Sequence, residues 1–253
     1  MASYQEKKAF YDRVITIYGR KPVLEALQDL DLPIHRLHLA DSNKPTGIVA
    51  EMLQLAAKRN IEVVYHSKQA LSRISRNGKQ DQGVAADIAS EGYNDFSALE
   101  NAPNDAELLA LDGITNPQNL GMIIRSVCAS GMHGILLPEK GCCDINPLVI
   151  KASVGTLFRT RIYRCKDLPQ ALHWLQSKGW KSCVLSSHAS TPIADYPSKG
   201  HTVYVLGNET EGVRESIMES ADDRLMIPMA NDVESLNVAV TASLIAFRRQ
   251  LAG

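Results

Sequence analysis

Thr202-Val203-Tyr204-Val205-Leu206-Gly207-Asn208-Glu209-Thr210-Glu211-Gly212 is the stretch on which the reading of the chain turns. An apolar, β-branched run stops at a glycine, and a polar, acidic turn follows before a helix-like segment begins at Val213. In an α/β protein, the edge where a buried strand gives way to a loop is where ligands sit. Gly207 and Gly212 allow a tight turn and a close approach of backbone to ligand. Glu209 offers a carboxylate near the loop's start. An ordinary strand-loop-helix connection with solvated acids would look the same, so two further stretches decide the matter: 116–125 and 227–238.

Outward from this loop, strand and helix patterns alternate from residue 106 to the end. They fall at 107–111, 120–130, 134–137, 147–157, 161–163, 168–178, 181–186, 202–206, 213–219, 224–227 and 236–251. Such alternation predicts a mostly parallel sheet covered by helices on both faces. The last helix carries Val240, Leu244, Phe247 and Leu251 along one side, which either packs on the sheet or joins a partner. Upstream, a smaller α/β unit is expected over 13–90, after a polar leader at 1–12. Tyr18-Gly19-Arg20-Lys21-Pro22 opens its first helix, with Pro22 suited to the first turn. Residues 91–105 are polar, hold Pro103, lack a sustained period and read as a linker to the domain at 106–253.

The 253 residues suffice for one large domain or two ordinary ones. With 45% hydrophobic and 22% charged residues the chain has the makeup of a globular protein. A net charge of −1 means that any nucleic-acid binding must rest on local patches. One such patch is legible: Lys58, Arg59, Lys68, Arg73, Arg76 and Lys79 face a single acid, Glu62, within 58–79. A charge run of this kind is either a solvated face or a set of phosphate contacts. Cys128, Cys142, Cys143, Cys165 and Cys183 lack C-x-x-C spacing and argue for a reduced, cytoplasmic compartment. No apolar run reaches the roughly 18 residues of a membrane span. His35 and His38 lack the partners of a metal-ligand set, so no metal is expected.

The second stretch, Asn116-Pro117-Gln118-Asn119-Leu120-Gly121-Met122-Ile123-Ile124-Arg125, follows a strand and opens a helix. Asn119 is the expected N-cap. Arg125 sits among Ile123, Ile124, Val127 and Cys128, where an unpaired charge is costly, so it should meet an anion. Glu209, Asp112 or a ligand phosphate or carboxylate would serve. In the third stretch a strand ends at Ile227-Pro228-Met229, a polar loop crosses over, and a helix begins near Ser235-Leu236-Asn237-Val238. Ser235 is placed to cap that helix, whereas Asn237 would interrupt an apolar face.

Asn-Pro-x-Asn-x-Gly-x-x-x-Arg at 116–125, Leu-Gly-Asn-Glu-x-x-Gly at 206–212 and Ile-Pro-Met with Ser-Leu-Asn-Val at 227–238 resemble the three signatures of the SpoU/TrmH family. These are SPOUT-class RNA ribose 2′-O-methyltransferases. Met122 stands where small residues are common, a mild departure. The Tyr-Gly-Arg-Lys-Pro-Val-Leu-Glu-Ala-Leu opening at 18–27 resembles the RNA-binding domain of the family's ribosomal-RNA branch, which includes the enzyme that methylates a large-subunit guanosine.

The resemblance implies a trefoil-knotted sheet, a homodimer and S-adenosylmethionine as cofactor. It assigns cofactor contacts to Leu206, Gly207, Ile227, Met229 and Leu236, and catalytic or substrate roles to Asn119, Arg125, Glu209, Ser235 and Asn237. Arg20, Lys58, Arg59, Arg73, Arg76 and Lys79 would contact ribosomal RNA. Transfer RNA is the alternative substrate, and a non-catalytic RNA-binding protein of the same fold the alternative activity. Arg125 is the family's base; since arginine is effectively always protonated, a phosphate clamp is the other role open to it.

Overall fold

The computed structural model describes residues 14–30, 32–75, 78–89, 93–197, 199–208 and 210–251. The expected leader at 1–12, and with it Arg76 and Glu209, lie outside the described residues. The chain forms two units, Met1–Gly92 and Tyr93–Gly253.

The first unit runs β1 (Val14–Tyr18), α1 (Arg20–Gln28), β2 (Ile34–Ala40), α2 (Ile48–Lys58), β3 (Glu62–His66), α3 (Lys68–Ser75) and β4 (Val84–Ala89). Its sheet has the order β1-β4-β2-β3, with β4 antiparallel to β1 and β2, and β3 parallel to β2. Helical spacing explains the packing: Val23, Ala26 and Leu27 of α1, and Val49, Met52 and Ala56 of α2, are buried.

Arg59 has a task the charge pattern did not suggest. Its guanidinium donates to the carbonyls of Ala26, Leu27 and Asp29 at 3.3, 2.8 and 3.0 Å, and to that of Leu32. Ala26 and Leu27 are in the last turn of α1, whose carbonyls the helix end leaves without intrahelical partners, and Asp29 and Leu32 lie in the turn that follows. Arg59 is therefore a structural clamp on α1, which removes it from the expected phosphate-contacting set. Lys58, Lys68, Arg73 and Lys79 are exposed, and exposed Arg20 donates to Asn43 Oδ1 at 3.0 Å.

His38 also has partners that its place in the sequence did not reveal. Its Nε2 lies 2.9 Å from Asp87 Oδ2 and its Nδ1 2.9 Å from His66 Nε2, while Thr16 Oγ1 donates to Asp87 Oδ1 at 2.7 Å. A polar stripe thus crosses all four strands, with His38 and Asp87 each only 4% exposed. Burial works to raise the Asp87 carboxyl, but the bonds from His38 and Thr16 outweigh it and hold the group below its ordinary 3.8. Burial, then the neighbouring His38, lowers His66 below its ordinary 6.5.

Both folded values lie below the unfolded ones, so both groups withdraw stability as pH falls. The His66 share fades below about pH 6.5 and the Asp87 share below about pH 4. Thermal unfolding of the whole chain should therefore shift downward from pH 7.5 to 5.5. Replacing His66 with Gln should flatten that first decline; an unchanged pH profile in this variant would remove His66 from the account.

The second unit contains β5 (Tyr93–Asp95), β6 (Glu107–Asp112), α4 (Pro117–Ser130), β7 (Gly134–Pro138), α5 (Pro147–Ser153), β8 (Ile162–Cys165), α6 (Leu168–Ser177), β9 (Lys181–Leu185), β10 (Thr191–Pro192), β11 (Thr202–Gly207), α7 (Glu215–Ser220), β12 (Asp223–Met226) and α8 (Val238–Leu251). Its sheet has the order β10-β12-β9-β11-β6-β7-β8-β5, and every pairing is parallel. Residues 202–206 of β11 are all buried, as a central parallel strand covered on both faces requires.

Two expectations need correction, and a third narrows to one of its alternatives. The expected linker at 91–105 contributes structure to this unit from residue 93. β5 pairs with β8, Phe96 packs edge-on against Trp174 at 5.3 Å, and Leu99 is 1% exposed. A three-residue strand and a 3-10 turn are too short to show a period, so the segment read as structureless. The helix expected over 147–157 ends at Ser153, where Val154 takes a left-handed conformation (φ 51°) before Gly155. On α8, of the two alternatives for the apolar stripe, packing on the sheet falls: Val238, Ala239, Ala242, Ile245 and Ala246 are buried, while Val240, Leu244 and Leu251 are exposed. The apolar stripe does not pack on the sheet. Small alanines sit inside because α8 lies close against α4, with Ser126 and Ser243 hydroxyls 2.8 Å apart. Among the described residues no helix is long and apolar enough to cross a membrane.

Candidate active site

A cavity of about 250 Å³ opens at the carboxyl ends of the neighbouring strands β12, β9 and β11. Leu206, Gly207, Ile227, Met229 and Leu236 all line it, although they come from separate stretches of sequence. Ser235 lines it as well, and so do Leu185, Ser186 and Ser187 at the end of β9. Sequence reasoning missed those three; the only signal was a pair of serines just past a buried strand. The walls combine apolar side chains (Leu185, Leu206, Ile227, Met229, Leu236, Val238) with polar ones, Asn208, Glu234 and Thr241 among them, a composition suited to an apolar ring and a few oriented polar contacts.

The loop leaving β11 is shaped by contacts within itself. Asn208 Oδ1 accepts from the amides of Thr210 and Glu211 at 2.9 and 2.6 Å, and the amide of Gly212 donates to Asn208 O at 3.1 Å. Gly212 takes a left-handed conformation (φ 71°). A Cβ on Gly207 would stand 2.0 Å from the carbonyl carbon of Gly212. The loop folds back on its own root, and only glycine fits there.

The cap assignments shift by a few residues from those expected. Asn116, not Asn119, caps α4: its Oδ1 accepts from the amides of Gln118 at 2.8 Å and Asn119 at 3.4 Å, with Pro117 in the first turn. Asn237, not Ser235, caps α8, since its Oδ1 accepts from the amide of Ala239 at 2.9 Å. This frees Asn119 for another contact. It is 6% exposed, and its Oδ1 accepts from Asn237 Nδ2 at 3.2 Å. The two asparagines thus join the first turns of α4 and α8. The sequence placed Asn237 on an apolar face; its bond to Asn119 and its capping of α8 explain it.

Arg125 stands on the exposed side of α4, while Ile123, Ile124 and Val127 face the core. It makes no ion pair among the described residues, and the expected pairing with Asp112 does not form. Asp112 is taken by Arg214, whose Nε donates to it at 2.8 Å. The buried-charge argument for Arg125 therefore falls. Asn119, Arg125 and Asn237 do not line the cavity. No group of three or more His, Cys, Asp or Glu suited to a metal ion occurs among the described residues.

Fold and site together define a two-unit α/β protein with a ligand cavity at the carboxyl edge of a parallel sheet. The profile of the SpoU rRNA methylase family matches residues 107–247, more than half of the chain, and the chain belongs to that family. A second profile, the substrate-binding domain of RNA 2′-O ribose methyltransferases, matches residues 16–93. An uncharacterized tRNA/rRNA methyltransferase of Mycolicibacterium vanbaalenii is 33% identical over 233 residues, covering 90% of this chain and 74% of its own. Among solved structures, the SpoU methyltransferase AviRb of Streptomyces viridochromogenes, in complex with AdoMet, is similar with a TM-score of 0.68 and 21% identity. That match covers 100% of this chain and 95% of AviRb. An AdoMet-bound rRNA methyltransferase of Sinorhizobium meliloti gives 0.67 and 24%, covering 99% and 92%.

Proposed function

We propose that this protein transfers a methyl group from S-adenosylmethionine to a ribose 2′-hydroxyl of RNA, with a guanosine of large-subunit ribosomal RNA as the target. The observation that carries the reading is the convergence of Leu206, Gly207, Ile227, Met229 and Leu236 on one cavity. Aliphatic walls suit the adenine ring and thioether arm, and the bare backbone at Gly207 and Gly212 suits close polar contacts. When bound there, the cofactor supplies an electrophilic methyl group. The segments 206–212 and 227–236 are read as the crossings of the trefoil knot.

The chain's own residues orient the nucleophile. The Asn119–Asn237 bridge sets the first turns of α4 and α8 relative to each other, and Ser235 sits at the cavity rim. Arg125, exposed and without an ion pair among the described residues, presents its planar fork to an RNA phosphate. Holding the strand in this way brings the hydroxyl to attack distance. Support for ribosomal RNA comes from the substrate-binding match at 16–93 and from the two-unit architecture shared with the S. meliloti rRNA methyltransferase. Exposed Lys58, Arg73, Lys79 and Arg20 are the phosphate contacts of that unit.

Ribose-methylation mapping of total RNA from a strain lacking the gene, against its parent, tests the reading. One large-subunit guanosine should lose its mark, and wild-type protein should restore it. The Arg125→Ala variant should not restore it, with at least a ~100-fold loss of turnover and cofactor affinity within a few-fold. A lost transfer-RNA mark would overturn the substrate assignment. No lost mark at all, together with no binding of S-adenosylmethionine, would overturn the activity.

The functional unit in this reading is a homodimer. Val240, Leu244 and Leu251 of α8 and Met122 of α4 leave aliphatic surface exposed on two helices that pack together, and apolar patches of this kind mark association sites. Leu244→Glu should shift sedimentation from dimer to monomer; a wild-type protein that sediments as a monomer at micromolar concentration would sink the dimer.

A further inference from the structure

We propose that Asp112 is a positioning residue for the cofactor loop, pinning the segment 207–214 against the root of α4 through Arg214. The inference rests on the cavity at Leu206 and Gly207 being the cofactor site, and extends it to two residues outside that cavity.

Asp112 is the last residue of β6, the register partner of Gly207, and 4% exposed. Its Oδ2 accepts from the backbone amide of Arg214 at 2.9 Å, and its Oδ1 accepts from Arg214 Nε at 2.8 Å. The loop therefore leaves the sheet beside Asp112 and is gripped by the same residue where it ends. Between those points short contacts around Asn208 and the burial of Val213 in the core shape the loop. On its other side Asp112 leads into Gly113, where a Cβ would stand 2.9 Å from Asn208 Nδ2, and then to Asn116, the cap of α4. One carboxylate thus sets the cofactor loop relative to the helix that carries Asn119 and Arg125.

Asp112 and Arg214 line a separate cleft on the far side of the loop and do not line the cofactor cavity. Their effect on a bound cofactor passes through the loop backbone. A carboxylate buried at a strand end is costly unless its oxygens are satisfied. Here charge-assisted bonds to Arg214 satisfy them, and such bonds are among the stronger ones available. Half-exposed Arg214 would be an unremarkable surface cation if only its side chain were held; the bond to its amide makes the contact a restraint on the loop.

The test uses the full chain with Asp112→Asn and Arg214→Gln. Three readouts are needed: calorimetry with S-adenosylhomocysteine, amide hydrogen exchange across 208–214, and melting without ligand. Asp112→Asn should weaken binding about ten-fold, and Arg214→Gln, which keeps the backbone bond, about three-fold. In both, exchange at 208–214 should quicken while the amides of 203–205 keep their protection. Wild-type affinity and exchange in Asp112→Asn would overturn the proposal. If that variant does not fold, unchanged exchange at 208–214 in Arg214→Gln would do the same. Exchange needs no ligand, so failure of the wild type to bind S-adenosylhomocysteine would count against the cofactor assignment and leave the latch to be judged separately.

Discussion

Gly207→Ala should abolish measurable binding of S-adenosylmethionine nearly as completely as Gly207→Val, each weakening it by at least about a hundred-fold. On sequence grounds the expected harm from valine is a side chain filling the adenosine pocket, and by that argument alanine would be mild. The structure gives a different cause. A Cβ on Gly207 would meet the Gly212 carbonyl carbon at 2.0 Å, its oxygen at 2.1 Å and the Val213 nitrogen at 2.2 Å. All three atoms are backbone, so no side-chain rotation relieves the clash, and the loop must move off its own root. Gly207 is not among the residues with positive φ, so the effect is steric and not conformational. Calorimetry with S-adenosylhomocysteine on both variants separates the two causes. Alanine binding like wild type, with valine inactive, would restore the pocket-filling explanation.

Glu107→Ala should produce a large loss of stability. Glu107 is 6% exposed at the start of β6, and its Oε1 accepts from Tyr204 Oη at 2.8 Å and Arg248 Nη2 at 3.3 Å. Arg249 Nε stands 2.9 Å from Oε2, an ion-pair distance whose angle makes no hydrogen bond. Arg248 is itself 9% exposed, lies over the rings of Tyr196 and Tyr204 at 5.7 and 5.3 Å, and donates to the carbonyls of Ile193, Tyr196 and Pro197. Burial, then the charge of Glu107, pushes the Tyr204 phenol well up, so it remains a neutral donor.

Removing the carboxylate leaves a buried guanidinium without its counter-charge and a buried hydroxyl without its acceptor. Breaking one side of such a pair costs about 3–5 kcal/mol. For a chain of this size that lowers the melting midpoint by on the order of 10 °C. Glu107→Gln, which keeps an acceptor for Tyr204 but not the charge, should fall between. A drop of less than about 2 °C for Glu107→Ala would mean that the carbonyls around Arg248 suffice on their own.

The expected linker shows how far local pattern carries. Over 202–206 a parallel strand covered on both faces leaves a continuous apolar run, and that run was legible. Tyr93–Asp95 and the 3-10 turn after it leave no such signal, because their order comes from β8 and Trp174, which lie far along the chain.

Charge was the least legible property. Arg59 and Arg125 look alike in sequence, one in a basic run and one on an apolar helix. The fold sends the first onto the carbonyls ending α1 and turns the second outward to solvent. Neither outcome follows from neighbours within a helical turn. The sequence by itself determined the alternation of strands and helices, the three loops at strand ends and the glycine that the tightest of them needs. These depend on residues close together in the chain. Only the tertiary structure decided that five residues from separate segments close one cavity, that Asn119 meets Asn237, and that Asp112 grips Arg214. The two pairs join residues about a hundred positions apart, and the path of the chain through the sheet, which no local propensity encodes, brings them together.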